Sequence, residues 1–253
     1  MNNYTYFLNK PKLPKKRVTD VLVSGEFPIY AQLLEKKGIT VHRTFANLYL
    51  DRPVQYHPDM QLCDFGDGHM FALKGSGLQE KLSVLDVQMY ESEKFPEKEY
   101  PHDVLCNALI LGKYILGNQQ GLDEALILKA GELGYQFYHV NQGYTACTVC
   151  VVDKKSIITA DKGIAKLADK LNINVLLISN TDIILNGYNT GFIGGCCGKI
   201  SETEMVFTGS LEMHPDCKKI KSFLLERNIE AIELLNSPLV DIGGIIPLRE
   251  CSY

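Results

Sequence analysis

Histidine, aspartate and cysteine side chains that could together perform acid–base or nucleophilic chemistry occur at separate points of this chain. In the segment His57-Pro58-Asp59, an imidazole and a carboxylate two residues apart would share one side of an extended backbone. Cys147 lies between hydroxyl residues in the sequence TACT, and a cysteine thiolate is a strong nucleophile. We therefore interpret His57, Asp59 and Cys147 as candidate catalytic residues.

A purely structural role is the alternative for each of these residues. Pro58 and Asp59 would also suit a simple turn, and Cys147 would suit a packed core. The tripeptide His-Pro-Asp recurs at 214–216, directly before a predicted helix, where proline and an acidic residue are favoured for backbone reasons. The tripeptide alone is therefore not a signature of function.

Two other motifs superficially suggest metal or phosphate binding. Cys147 and Cys150 have the CxxC spacing, but on a predicted strand residues three apart point to opposite faces, so we expect no metal site. The glycine-rich segment 194–199 lacks the spacing of a phosphate loop. Its glycines favour close strand packing or close approach of a ligand, and Gly195 and Cys196 are candidate ligand contacts.

Composition limits the classes of partner. The 253 residues carry a formal net charge of -4, which disfavours nucleic acid as a partner. We find neither a secretory signal nor an apolar run of about 18 residues, so we expect a cytoplasmic protein without membrane contact. The basic run from Lys10 to Arg17 is interpreted as a solvated lead-in. No cofactor is predicted.

The chain repeats a pattern of hairpin, helix and strand. In the clearest copy, Cys147–Val152 and Ser156–Thr159 form the hairpin, and apolar residues recur with helical spacing from Ile164 to Leu171. A continuous apolar strand follows at Ile173–Ile178, which is typical of burial on both faces. Corresponding segments begin near residues 61, 105 and 191.

The fifth copy is divided between the two ends of the chain. The N-terminal part supplies three of its four elements: a strand at Val21–Ser24, a helix around Tyr30 and a strand at Ile39–Arg43. The first strand of this unit is missing there, whereas Val240–Leu248 near the C-terminus is a strand that belongs to none of the other units. Pairing these segments predicts five ββαβ units in a closed α/β propeller, as a single domain over residues 1–253. An open doubly wound sheet is the alternative, although such sheets need no hairpin before each helix.

Four segments carry a family resemblance: GYTACTVCVVD (143–153), IITADKGIAK (157–166), GFIGGCCGKI (191–200) and DIGGIIPL (241–248). With the five repeats they resemble the pentein superfamily of guanidine-modifying enzymes, and more closely an uncharacterised bacterial family with this fold. The resemblance covers nearly the whole chain. It implies five units around a pseudo-fivefold axis with a central channel.

The resemblance implies only part of a catalytic site. Catalytic penteins use a cysteine nucleophile in the last unit, a histidine, and carboxylates that hold the guanidinium. In this chain the segment 242–247 contains no cysteine, and Cys251 beyond it is a candidate displaced nucleophile. Asp241 matches a position where several penteins keep a polar residue near the channel. Candidate ligand contacts are Asn107, Asp161, Gly195, Cys196 and Asp241, with a helix N-cap as the favoured role of Asp161.

Two functions remain open at this point. The first is binding of a small guanidino, amidino or ureido compound in the channel, extended to hydrolysis of a C–N bond if a cysteine is reactive. The second is a non-catalytic interaction protein, like the ribosome anti-association factors with this fold, and it accounts for the missing cysteine. Whether the protein is an enzyme, and how many copies assemble, are not determined by the sequence.

Overall fold

A computed structural model shows a mixed α/β fold in which one arrangement of strands recurs in five sheets. It describes residues 4–252, so the ends of the predicted domain at 1–3 and 253 lie outside the described residues. In four of these sheets an antiparallel hairpin is followed by a helix, and the next strand runs parallel to the second hairpin strand. In the fifth sheet the antiparallel pair is formed by β18 and β2 from the two ends of the chain. A helix is the usual crossover between parallel strands.

The bounds of the helices and strands follow the chain from one sheet to the next. They are β1 (Thr5–Phe7), β2 (Val18–Val23), α1 (Pro28–Glu35), β3 (Thr40–Arg43), α2 (Pro58–Gln61), β4 (Leu62–Gly66), β5 (His69–Ala72), α3 (Leu78–Lys81), β6 (Gln88–Glu91), β7 (Leu109–Leu111), β8 (Tyr114–Gly117), α4 (Glu124–Glu132), β9 (Gln136–His139), α5 (Thr145–Thr148), β10 (Val149–Asp153), β11 (Ser156–Thr159), α6 (Lys162–Lys170), β12 (Asn174–Leu177), β13 (Ile183–Ile184), β14 (Cys197–Lys199), β15 (Glu204–Phe207), α7 (Cys217–Leu225), β16 (Glu230–Glu233), β17 (Leu239–Val240) and β18 (Ile246–Cys251). Short 3₁₀ turns lie at Ser83–Leu85, Ile193–Cys196 and Leu211–Met213.

One sheet joins the two ends of the chain in the order β1-β18-β2-β3. β18 runs antiparallel to β2, with Ile246 opposite Leu22. The predicted pairing of the C-terminal strand with the N-terminal unit is therefore confirmed. β1, which pairs with β18 through Thr5 and Cys251, was not predicted. β13 and β17 form a separate parallel pair.

Three predicted element boundaries were wrong. The closing strand begins at Ile246 and not at Val240, because Gly243 and Gly244 adopt φ values of 78° and 84° and turn the chain before it. In the second unit, Leu78, Leu82, Leu85 and Met89 have a spacing that predicts one continuous helix, but the helical segment ends at Asp86, whose φ is 57°. The predicted strand from Gly191 reduces to Cys197–Lys199.

The core consists of five apolar clusters, each of which joins two sheets that follow one another in the chain, with the last cluster joining the fifth sheet to the first. The middle strand of each sheet supplies successive side chains to two clusters, because neighbouring residues of a strand point to opposite faces. The adjacent residues that divide in this way are Leu22 and Val23, Met70 and Phe71, Ile115 and Leu116, Ile157 and Ile158, and Val206 and Phe207. This burial on both faces explains the apolar runs of the middle strands. The predicted burial of Ile173–Ile178 on both faces was wrong, because β12 lies at the edge of its sheet and its residues Asn174–Leu177 are half-buried or exposed.

Within residues 4–252 no helix is both long enough and apolar enough to cross a bilayer.

Candidate ligand-binding site

A short turn precedes the first hairpin strand of each of the five sheets. These turns are α2, residues 104–107, α5, the 3₁₀ turn Ile193–Cys196, and residues 241–245. Seven of the nine residues that the sequence suggested as site residues lie on or directly beside these turns: His57, Asp59, Asn107, Cys147, Gly195, Cys196 and Asp241. The fold therefore places one group of candidate residues at the same position of each unit.

Backbone and amide hydrogen bonds connect these turns to one another. Asn107 Nδ2 donates to the Asp59 carbonyl at 3.0 Å, and Asn107 Oδ1 accepts from the Ala146 amide at 2.7 Å. The Ile242 amide donates to the Gly195 carbonyl at 3.0 Å. The Asp59 amide donates to the carbonyl of Gly243 at 3.3 Å.

The remaining contact, between α5 and the 3₁₀ turn, depends on a glycine. A Cβ built at Gly194 would stand 2.5 Å from the carbonyl oxygens of Cys147 and Val149. Only a residue without a side chain allows the two backbones to approach this closely.

His57, Asp59 and Asp241 form a buried polar group. His57 Nδ1 lies 3.7 Å from Asp241 Oδ1 and 4.0 Å from Asp59 Oδ1, and all three side chains are at most 2% exposed. His57 Nε2 has no hydrogen-bond partner among the described residues, and the Asp59 carboxyl has none there except the Cys147 thiol, which lowers the pKa of Asp59. A buried polar atom without a partner lowers the stability of the fold by about 1–3 kcal/mol. A polar ligand could supply the missing partners of this group.

Burial controls the protonation of this group. Burial, and then the nearby charge of Asp241, raise the pKa of the Asp59 carboxyl to about 8. Burial lowers the pKa of His57 below its usual range, although the charges of Asp241 and Glu26 act in the opposite direction. At neutral pH we therefore expect a neutral imidazole and an Asp59 that still holds its proton in much of the population.

Asp241 differs from Asp59 because backbone amides satisfy its oxygens. Oδ2 accepts from the Phe192 amide at 2.8 Å, and Oδ1 accepts from the Gly243 amide at 3.0 Å. Gly195 leaves room for this carboxylate, and Gly243 lies against the His57 side chain. The turn 241–245 thus fixes the carboxylate beside the imidazole.

Two cysteines lie at the same site. Asn107 Nδ2 lies 3.0 Å from Cys147 Sγ, and Cys196 Sγ donates to the Phe192 carbonyl at 3.2 Å. Burial raises the pKa of both thiols well above the ordinary value, and the charges of Asp59 and Asp241 raise the pKa of Cys147 further. Both cysteines are therefore thiols, not thiolates, at neutral pH in the free protein.

Two local geometries differ from the predicted ones. His57 is the N-cap of α2 and Asp59 lies in its first turn, so the predicted extended conformation of this segment was wrong. Pro58 occupies the first helical position, where proline favours the start of a helix. Cys147 lies in α5 and not in the following strand. Cys147 packs in one apolar cluster and Cys150 in another.

Two candidate residues lie apart from this site. Asp161 is the N-cap of α6, where Oδ1 accepts from the Ile164 amide at 2.7 Å, so its favoured structural role is confirmed. Cys251 pairs with Thr5 at the far end of β18, five residues beyond Ile246. A strand of that length spans about 16 Å, which places Cys251 far from the turn 241–245.

Two cavities reach the buried group. A cavity of about 230 Å³ is bounded by Asp241, Glu26 and Arg52, and a much smaller one of about 20 Å³ lies beside Asp59. The smaller cavity is bordered by Lys12, which also borders a further cavity of about 20 Å³ next to Cys197. The larger cavity is therefore the wider of these approaches to the site.

Sequence reasoning missed Lys12, Glu26 and Gln61. Lys12 has a φ of 62°, and its positive charge lowers the pKa of Asp59. It belongs to the basic run interpreted as a solvated lead-in, and that interpretation was wrong for this residue, which is half-buried. Gln61 Oε1 is buried without a partner among the described residues, although its amide nitrogen donates to two carbonyls. The only feature of the sequence that could have pointed to Gln61 is its position four residues after His57.

Solved structures of similar fold include several amidino-group enzymes. The amidinotransferase SxtG from Microseira wollei is 10% identical with a TM-score of 0.59 over 91% of each chain. Inosamine-phosphate amidinotransferase StrB1 from Streptomyces griseus is 11% identical with a TM-score of 0.60 over 97% of each chain. Agmatine deiminase from C. jejuni is 11% identical with a TM-score of 0.54 over 92% of each chain. At these identities the likeness concerns the fold alone.

Sequence comparison gives the family. A search of curated proteins found no match. Residues 22–246 match the family DUF6873, described as a family of unknown function. Since this match covers most of the chain, the protein belongs to the DUF6873 family of unknown function and has the mixed α/β fold of the penteins.

Proposed function

We propose that the protein binds a small cation of the guanidino or amidino type between Asp59 and Asp241. The observation that carries this proposal is the Asp59 carboxylate, which is 2% exposed and accepts from no N–H group for either oxygen among the described residues. A planar cation with several N–H groups would supply the missing donors and the missing positive charge. The ureido compounds suggested by the sequence lack that charge and are expected to bind more weakly.

The size of the approach restricts the ligand. A cavity of about 230 Å³ lies below the usual range of about 300–1,000 Å³ for small-molecule sites, so we expect a compact ligand. The ligand enters past Glu26 and Arg52 and meets Asp241 first. Ionisation of Asp59 accompanies binding, because the cation favours the charged carboxylate.

We also propose that the five units close into a propeller around this site. Support comes from the hydrogen bonds between the turns, from the apolar cluster that joins the fifth sheet to the first, and from the pairing of β18 with β2. A closed ring would leave the ligand only the ends of its axis as entrances.

Thermal unfolding with matched ligands tests the binding proposal. Methylguanidine and methylurea have nearly the same shape, and only the first is a cation. At a concentration of 100 times its Kd, the cation should stabilise the protein by about 2.7 kcal/mol, which corresponds to about 5–11 °C in Tm. Methylurea should give a much smaller shift, and Asp59→Asn should abolish the effect of methylguanidine.

The control variant is Asp161→Asn, which changes the same side chain outside the site. It should keep the full response to methylguanidine, even if its own Tm is lower because it loses a helix cap. Equal shifts with the cation and the urea, or an equal loss of response in both variants, would contradict binding between the two carboxylates.

Hydrolysis of a C–N bond is a second candidate function, favoured by the contact of Asn107 with both Cys147 Sγ and the Asp59 carbonyl. In this reaction Cys147 gives its proton to Asp59 as Sγ bonds to the amidino carbon. The C–N bond then breaks as the leaving amine accepts a proton, and water releases the ureido product from sulfur. His57 is the candidate proton carrier between these steps.

Mass spectrometry of the protein with substrate distinguishes turnover from binding alone. Turnover should produce an adduct on Cys147 and release of the amine, both of which Cys147→Ser abolishes and Cys196→Ser preserves. Binding without any adduct or amine release would contradict the hydrolytic function and leave the binding proposal unaffected.

A further inference from the structure

A second concave surface of the protein collects positive charge. A cavity of about 450 Å³, here called the basic pocket, lies between the N-terminal segment at Leu13–Lys15, the turn between β10 and β11, and the end of α7. Its volume falls in the usual range for small-molecule sites. None of the residues assigned to the site between Asp59 and Asp241 borders it.

The charge of the basic pocket is opposite to that of the whole chain. Five cationic side chains border it, together with only two acidic ones, Asp153 and Glu202, although the chain carries a net charge of -4. The cationic residues are Lys15, Lys154, Lys155, Lys199 and Arg227. Such a local excess of positive charge attracts anions.

Lys199 is a buried cation in this pocket. The residue is 4% exposed, and its Nζ donates to the Val152 carbonyl at 3.0 Å. No carboxylate lies within ion-pair distance of this ammonium in the described part of the chain. A buried charge is costly without a counter-charge, and an anion in the pocket would supply it.

Arg227 is held in a fixed orientation beside it. Its guanidinium stacks on the Phe223 ring at 3.5 Å, Nε donates to Ser156 Oγ at 2.8 Å, and Nη1 donates to the Phe223 carbonyl at 2.7 Å. Two carboxylates already lie at ion-pair distance from it, Asp153 Oδ2 at 3.6 Å from Nε and Glu226 Oε2 at 3.4 Å from Nη1. An arginine already oriented in this way loses little freedom when it binds an anion. The backbone amides of Lys15 and Lys16 bond to Glu250, which fixes the N-terminal segment at the rim of the pocket.

We propose that the basic pocket binds a small molecule that carries a phosphate group. Lysine ammonium groups approach from several sides, which suits the three acceptor oxygens of a phosphate better than a planar carboxylate. Leu13, Pro14 and Ile229 form an apolar wall against which the rest of the ligand packs. Part of the basic run therefore has a binding role.

Calorimetric titration at low ionic strength with three probes tests this assignment. Phenyl phosphate carries both the phosphate and an apolar ring, benzoate replaces the phosphate by a carboxylate, and inorganic phosphate lacks the ring. We expect phenyl phosphate to bind about tenfold more tightly than benzoate, and more tightly than inorganic phosphate. Equal binding of benzoate, or no binding of either phosphate, overturns the proposal.

Charge variants locate the site. Lys155→Ala should weaken the binding of phenyl phosphate by about tenfold, the usual effect of one charge-assisted hydrogen bond. Lys170→Ala removes the same charge from the exposed end of α6, outside the pocket, and should leave the Kd unchanged. An equal effect of both variants would show attraction to overall charge and overturn a defined site.

The buried lysine needs its own variant. Lys199→Met should abolish binding, because it removes the ammonium and keeps most of the volume of the side chain. Should this variant fail to fold, the double variant Lys154→Ala with Lys155→Ala serves instead, since both residues are exposed on a turn. Unchanged affinity in the folded variant would contradict the proposal.

Discussion

Gly195 lies directly against the carboxylate of Asp241, so that a Cβ built on Gly195 would stand 1.8 Å from Asp241 Oδ1. The same carboxylate oxygen is 3.7 Å from His57 Nδ1 and accepts from the Gly243 amide. The absence of a side chain at one residue therefore determines where a carboxylate from another unit lies. This contact makes Gly195 a residue that shapes the site.

Gly195→Ala should damage both stability and binding. The added methyl group must displace Asp241 or its backbone, and such overpacking costs about 1–3 kcal/mol. Urea unfolding measures this loss, and the Tm shift with methylguanidine should vanish at the same time. Gly131→Ala in α4 is the matched control, because a Cβ there meets nothing within 4 Å. The control should raise the free energy of unfolding by about 0.5–1 kcal/mol. Equal responses of the two variants would refute the close contact.

Asp59→Asn should change how stability depends on pH. The folded protein holds the Asp59 proton with a pKa of about 8 against an ordinary value of 3.8, so the folded state binds more protons than the unfolded state between these values. Ionisable Asp59 therefore lowers the free energy of unfolding as the pH rises through this window. The variant lacks this loss, and its stability relative to the original protein should increase from pH 4 to pH 8.

Asp64→Asn is the comparison for this pH profile, because burial raises the pKa of Asp64 to about 7. The free energy of unfolding of Asp64→Asn, relative to that of the original protein, should stop rising about one pH unit lower than the corresponding difference for Asp59→Asn. A flat difference profile for Asp59→Asn would mean that Asp59 is not held in its protonated form.

Lys12→Met should move the pH dependence of ligand binding. The positive charge of Lys12 lowers the pKa of Asp59, so its removal raises that pKa further and delays ionisation to higher pH. The Kd for methylguanidine, measured against pH, should therefore reach its lowest value at a higher pH in the variant. Lys10→Met, in the same basic run, should leave the profile in place. An unchanged profile in Lys12→Met would contradict a charge effect of Lys12 on the site.

Alkylation of the native protein should begin at Cys251 and not at Cys147. Cys251 is half-buried, whereas the seven other cysteines are buried, and burial raises the pKa of Cys147 and Cys196 well above the ordinary value. Iodoacetamide labelling followed by peptide mass spectrometry measures the order of reaction. Rapid labelling of Cys147 in the free protein would show a thiolate that this buried environment does not favour.

The sequence predicted the strands well because their burial leaves a direct signal. Apolar runs such as those around Met70 and Ile157 reflect middle strands whose two faces pack in different clusters. The short turns before these strands were missed, since a turn of four residues is too short to show helical periodicity. Pro58 at the start of α2 was the one readable sign, and it was interpreted as part of an extended segment.

The candidate residues could be chosen from their types, but not brought together by spacing. His57 and Asp241 are separated by most of the chain, and only the equivalent position of their turns in two units places them side by side. Lys12 was assigned to solvent because a basic run has no periodic pattern that reveals burial. Its backbone conformation and its contact with the cavity beside Asp59 are tertiary features.

The pairing of β18 with β2 has a consequence for the order of folding. Ile246 and Leu22 lie at opposite ends of the region 22–246 that matches the DUF6873 family. Their contact therefore closes a very long loop and forms slowly compared with the local hairpins. Asp241 comes from the turn that leads into this last strand. A nascent chain can therefore assemble four of its sheets before Asp241 reaches His57, so the proposed ligand site would be completed only by the final closing step.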